Sequence, residues 1–352
     1  MVRRVWCVVW CTVWVVLVGR HSSNGADGSN TCPDTAMVNI GMTGRIAEFS
    51  SNSSFLGSAI RAAHTMGLEG GSGCDSLLCV AGRMAEYARY TAFSGCSYPE
   101  GTVDVIQVGA NDGGIGDPLF PWLSKAEPWV RAVLLEPIQS SFVQLVTRYA
   151  SSQATIYFAH LALQGEGQGT RQMYIPTMCD GDDPGKHTRD RHYLMTEGLT
   201  DEQKELCYKG GFFYGNVATE ELLPISQVAS FEYDHVHDYS KWVGGSLDGP
   251  NLISAHPVAS TDWSTLLETH GATQSVGLVL IDAEGQDCDL VLSFPFHRLK
   301  PDAVVFEFGH QQCSGPKLHQ VLAFLELLGY ERGNFMGAEH KDASFVLRSQ
   351  QL

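Results

Sequence analysis

Six short apolar runs, each bounded by turn-forming or amphipathic sequence, most constrain what this chain can fold into. They are residues 103–108 (VDVIQV), 132–135 (AVLL), 155–159 (TIYFA), 276–281 (VGLVLI), 303–308 (AVVFEF) and 344–347 (SFVL). Runs this short are strand-sized, and near-continuous apolar character means burial on both faces, the condition of a parallel sheet covered by helices. Helical patterns lie between them, as at 139–149 and 317–328. The alternation predicts an α/β fold with a doubly wound, Rossmann-like sheet whose ligand crevice opens at the carboxyl ends of the strands.

Two stretches fall outside this rhythm. Residues 58–66 (SAIRAAHTM) and 75–91 (DSLLCVAGRMAEYARYT) carry apolar residues at helical spacing on either side of a GGSG break, so residues 37–97 are expected to form a helical extension. Residues 164–256 are too long for one connection in a compact domain and read as an insertion over the carboxyl ends of the strands, a lid or substrate wall. The expected division is an export segment at 1–26, a linker and helical extension at 27–101, and the α/β domain at 102–352, with its insertion at about 164–256.

The export reading rests on Arg3 and Arg4 before the apolar run 5–18. Its fourteen residues would span about 21 Å as a helix, short of the ~30 Å hydrocarbon core, so a signal peptide is expected, with an uncleaved single-pass anchor as the other option. Either places the remainder in the secretory lumen. Of ten cysteines, Cys7 and Cys11 lie in this run, and the other eight permit disulfides that sequence cannot pair. Local bridges among Cys32, Cys74, Cys79 and Cys96 are the expectation. Asn52-Ser53-Ser54 is a glycosylation sequon. With 23 Lys+Arg against 39 Asp+Glu, a formal charge of −16, a nucleic-acid surface is not expected.

The first run leads into Val108-Gly109-Ala110-Asn111-Asp112-Gly113-Gly114, where small residues let backbone N–H groups approach a ligand, as they would in an ordinary tight turn. The second ends in Glu136, a carboxylate suited to a ribose diol. The pattern is not G-x-G-x-x-G, which disfavours a dinucleotide. The fourth run delivers Asp282-Ala283-Glu284-Gly285 to the same crevice, where the two carboxylates could cap a helix, bind a metal or act on a substrate hydroxyl. In the insertion, His235 and His237 would share a face of a strand, and with His187 and His192 they form only an incomplete ligand set, so no metal site is assigned. Phe212, Phe213 and Tyr214 would pack the insertion down or line a pocket.

Together VDVIQVGANDGG (103–114), AVLLEP (132–137), LVLIDAEGQDCDLVLSF (278–294) and AVVFEFGH (303–310) resemble the FkbM-like S-adenosylmethionine-dependent methyltransferases, with ID-x-EG the most specific piece. The resemblance spans about 102–347. It implies a class I methyltransferase sheet, S-adenosylmethionine as cofactor and an oxygen acceptor, often on a sugar or natural product. Carried over residue by residue, it makes Gly109, Ala110, Asn111 and Gly113 the loop around the methionine part of the cofactor. Glu136 becomes the ribose ligand, and Ala162 the small residue near the adenine. Asp282 and Glu284 face the sulfonium and the acceptor, with Glu307 and His310 at the end of the next strand, and Asp282 and His310 are the candidate bases, which makes Asp282, Glu284 and His310 the expected catalytic residues. The export segment, the insertion and Gly309 depart from the family pattern and bear on the acceptor. The expectation is an O-methyltransferase acting on a glycan or other hydroxylated small molecule. A non-catalytic lumenal module that keeps the fold, or a nucleotide-dependent oxidoreductase, are the alternatives.

Overall fold

The computed structural model describes residues 35–40, 45–50, 52–68, 77–93, 98–114, 117–176, 229–242, 253–308, 311–333 and 342–348. The apolar run 5–18, the linker and Cys32, Cys74, Cys96, Cys179 and Cys207 lie outside them. Among the described residues no helix is long and apolar enough to cross a membrane.

The chain begins with strands β1 (Thr35–Ile40) and β2 (Arg45–Ser50) and helices α1 (Phe55–Thr65) and α2 (Leu77–Ala92). Strand β3 (Thr102–Val108) follows, then α3 (Phe120–Leu123), β4 (Arg131–Leu135), α4 (Gln139–Tyr149) and β5 (Thr155–Ala159). Next come β6 (Ala162–Leu163), β7 (Gly169–Pro176), α5 (Tyr233–Trp242), β8 (Ile253–Thr261), α6 (Trp263–Thr269) and β9 (Ser275–Ile281). The chain closes with α7 (Asp287–Ser293), β10 (Ala303–Glu307), α8 (Gly315–Leu327), β11 (Tyr330–Gly333) and β12 (Asp342–Leu347).

Seven strands form one sheet in the order β11-β12-β10-β9-β3-β4-β5. All pairings are parallel except those of β12, which runs antiparallel to both β10 and β11. The six apolar runs are six of these strands. β3 is buried at every position and β9 at all but its first, as strands covered on both faces must be. Successive side chains of β9 serve different layers, since strand side chains alternate. Leu278 and Leu280 join Phe55, Leu56 and Ile60 of α1, while Val279 and Ile281 join Trp263, Leu267 and Val291 on the opposite face.

The segment before β3 differs from the helical expectation at its start, where β1 and β2 form an antiparallel hairpin registered Thr35↔Ser50 to Ile40↔Arg45. Ala47 and Phe49 are buried on either side of exposed Glu48, a period of two that no helix produces. The two helices do follow, and α1 lies directly on the sheet. Ser54 caps it by accepting from Gly57 N–H and donates at 2.7 Å to the buried Asp104 of β3. Asp104 also accepts from Arg131 N–H and the Tyr98 hydroxyl.

The inserted stretch builds a second sheet, β6-β8-β7, with β7 and β8 antiparallel from Gly169↔Ser260 to Pro176↔Ile253. Its small core of Ala162, Met173, Ile175, Phe231 and Val258 also takes in Ile138, two residues beyond Glu136. The His235-Val236-His237 triplet lies in helix α5, so the strand face expected for His235 and His237 does not exist. His187, His192, Phe212, Phe213 and Tyr214 lie outside the described residues. Cys288 of α7 and Cys313 form a disulfide that sequence did not single out.

Candidate active site

The order of the large sheet creates one switch point. From β3 the chain winds outward through β4 to β5 and then returns to β9 on the other side of β3, so the crevice lies between the carboxyl ends of β3 and β9. There the two strand-end loops touch. Asp282 N–H donates to Val108 O at 2.9 Å, and a Cβ at Gly109 would stand 1.7 Å from the Asp282 carbonyl oxygen. With φ at +76°, Gly109 has both a conformation and a contact that only glycine tolerates.

The loop after β3 folds back on β4. Gly109 N–H and Ala110 N–H both donate to Leu135 O, and Gly113 N–H donates to Ala110 O. Asn111 sits at φ +47° and gives its N–H to Glu136 Oε2 at 2.8 Å, while Ile138 N–H donates to Oε1 at 2.7 Å. Gly109, Ala110, Asn111, Gly113 and Glu136 are thus one hydrogen-bonded unit. Burial pushes the Glu136 carboxyl up to about 7, against the pull of the two N–H donors and with a further push from the charge of Asp112. Each carboxylate oxygen keeps a second lone pair for a diol. Ala162 is buried in the second sheet, in the same small core as Ile138.

Asp112 was not singled out by sequence. It is buried, accepts from Gly114 N–H and pairs with Arg148 of α4 at 2.7 Å, which pins the loop's outer turn. Asp287 was likewise missed. Its carboxylate accepts from Ala283 N–H at 2.9 Å and Gly285 N–H at 3.0 Å, bracing the turn that carries Glu284, and burial raises it to about 6. A legible sign was the aspartate four residues past Ala283, spaced to bond back to a turn's N–H groups.

The opposite wall is acidic. Asp282 and Glu307 extend from neighbouring parallel strands paired through Ile281↔Phe306, and their side chains hydrogen-bond to one another. Oxygens of Asp282, Glu284 and Glu307 lie within 4.8 Å of one another, a spacing suited to a cation. Solvent reaches the Asp282 side chain, yet protein crowds it on its other sides. That restricted hydration, together with the charges of Glu307, Asp287 and Asp342, holds its carboxyl well above the ordinary range. Neither Asp282 nor Glu284 caps α7, whose N-cap is Gln286 without a side-chain bond.

Glu284 has φ +47° and is gripped from the insertion. Ser230 Oγ donates to its carbonyl at 2.7 Å, and His235 Nε2 lies 3.1 Å from its Oε2. Gly309 and His310 lie outside the described residues. Among sequence-named residues, the structure therefore brings Gly109, Ala110, Asn111, Gly113, Glu136, Asp282, Glu284 and Glu307 to one crevice, and it adds Asp287 and, from a helix instead of the expected strand, His235.

No family model and no curated protein matches the chain. Among solved structures it is similar to Aeropyrum pernix fibrillarin, crystallised in complex with natively bound S-adenosyl-L-methionine. That likeness covers 95% of this chain and 98% of that one, at 9% identity and a TM-score of 0.29.

Proposed function

We propose that the chain is an S-adenosylmethionine-dependent O-methyltransferase that acts on a hydroxyl of a glycan or other small molecule in the secretory pathway. The observation that carries this reading is the meeting of the Gly109–Gly113 loop, Glu136 and the Asp282/Glu284/Glu307 carboxylates at the switch point of a seven-stranded sheet. The single reversed strand β12, second from the sheet edge, agrees with the class I methyltransferase sheet implied by the sequence resemblance.

The donor set fits S-adenosylmethionine. Glu136 offers further lone pairs to the ribose diol, and glycine at 109 lets the loop after β3 close directly on the Asp282 strand end, where the carboxylates stand. The three carboxylates suit a positive sulfur more than a phosphate or carboxylate. Bound here, the cofactor would supply a methyl group activated by that positive charge. The chain's own part is alignment and proton removal. The hydrogen-bonded Asp282–Glu307 pair at the crevice is the chain's candidate acceptor for the hydroxyl proton. The Cys288–Cys313 disulfide and the exposed Asn52 of the sequon support an oxidising lumen.

Calorimetric titration of the full chain with S-adenosylmethionine and S-adenosylhomocysteine is expected to give saturable heat with both and none with NAD or NADP. No heat with either adenosyl compound ends the proposal. Labelled-methyl transfer into glycan and metabolite extracts then identifies the acceptor.

A further inference from the structure

Helix α5 belongs to the inserted segment, yet one of its side chains reaches the crevice. His235 is buried, with 6% of its side chain exposed, and its Nε2 lies 3.1 Å from Oε2 of Glu284, 49 positions away in the chain. Glu284 stands in a left-handed backbone conformation that non-glycine residues rarely adopt, at φ +47°. Its turn is clamped from both sides. Asp287 holds the N–H groups of Ala283 and Gly285, and Ser230 holds the Glu284 carbonyl.

The electrostatics give this contact a purpose. Glu284 shares its surroundings with Asp282 and Glu307, all three within 4.8 Å, and like charges at that distance repel. His235 Nε2, 3.1 Å from Oε2 of Glu284 and itself buried, is placed to donate to the carboxylate and hold its orientation against that repulsion.

We infer that His235 is a positioning residue that keeps the Glu284 carboxylate turned into the crevice, toward the positive sulfur of the methyl donor. This rests on the donor assigned under Proposed function. It makes the insertion part of the cofactor site as well as a wall for the acceptor.

The test compares S-adenosylmethionine, which carries the positive sulfur, with S-adenosylhomocysteine, which lacks it, by calorimetry on the full chain. His235→Phe, which fills the ring volume without the donor, and Glu284→Gln are each expected to weaken S-adenosylmethionine binding about tenfold and S-adenosylhomocysteine binding less than about twofold. The double variant is expected to be no worse than either single one. His235→Gln places an N–H donor near the position of Nε2 and is expected to restore most of the affinity. Equal losses for both ligands, additive losses in the double variant, or no loss in His235→Phe overturn the inference. Should His235→Phe fail to fold, Glu284→Gln and His235→Gln carry the same comparison, and a loss in Glu284→Gln that is equal for the two ligands overturns it. A wild-type chain that binds neither compound defeats the proposed function instead.

Discussion

Glu136 makes cofactor affinity depend on pH in a direction that can be worked out. Its side chain is 4% exposed, and burial raises its carboxyl from an ordinary 4.5 to about 7 despite donors from Asn111 and Ile138. A ribose diol donates two hydrogen bonds and so prefers the ionised acceptor, which means that binding pulls the proton off. At pH 6 about one-tenth of Glu136 is ionised and at pH 8 about nine-tenths, a difference worth close to tenfold in affinity, or about 1.3 kcal/mol. S-adenosylhomocysteine is the better probe, because it has no sulfonium whose attraction to Asp282 and Glu284 would add a second pH dependence. Titrations at pH 6, 7 and 8, in buffers of different ionisation heat, are expected to show affinity rising with pH. They should also show release of nearly one proton per ligand at pH 6 and much less at pH 8. Glu136→Gln should bind more weakly, with a flat profile and no proton release. Flat wild-type affinity over this range, or an unchanged slope in Glu136→Gln, would refute the assignment of Glu136 to the ribose.

The same carboxyl affects stability. Its folded value lies above its unfolded one, so the folded state holds the proton longer, and stability falls by at most about 3.4 kcal/mol as pH rises from 4.5 through 7. Thermal melts of the ligand-free chain should therefore decline across that window, and Glu136→Gln should flatten the decline. Gly109→Ala sets a Cβ 1.7 Å from the Asp282 carbonyl at a positive φ, and chemical denaturation is expected to register a loss of about 2–4 kcal/mol. Asp282→Asn is expected to leave S-adenosylhomocysteine binding within about twofold of wild type while lowering turnover at least about a hundredfold, the usual contribution of a positioned base, once an acceptor is in hand. Replacing Cys288 and Cys313 by serine opens a link across 25 residues and should cost about 3 kcal/mol in a denaturant titration.

The central strands were legible because they are buried on both faces and so write their environment into adjacent residues. Run 155–159 instead forms the edge strand β5, which alternates exposed with half-buried positions where cover on both faces was expected, and it stands out through its β-branched and aromatic residues. Gly109, Asn111 and Gly113 were legible for a related reason, as a small-residue turn directly after a central strand. Two elements left a weaker trace. Strand β11, YERG, sits at the sheet edge with one buried residue in four, and β2 of the N-terminal hairpin buries Ala47 and Phe49 around exposed Glu48. None of these segments carries a long apolar run or a clean alternation that would stand out.

What sequence by itself determined is therefore local: which segments are strands, that they lie in a covered parallel sheet, and which residues stand at their carboxyl ends. What only the tertiary structure decided is which of those ends meet. The return of the chain from β5 to β9 places Gly109 against Asp282, the pairing of β9 with β10 sets Asp282 beside Glu307, and a helix within the insertion brings His235 to Glu284. It also joins Cys288 to Cys313, and it reassigns α1 from a preface to a covering layer of the sheet. These contacts link residues tens to hundreds of positions apart. Their partners are chosen by the closing of the sheet and the packing of its two layers, and no run of neighbouring residues encodes that choice.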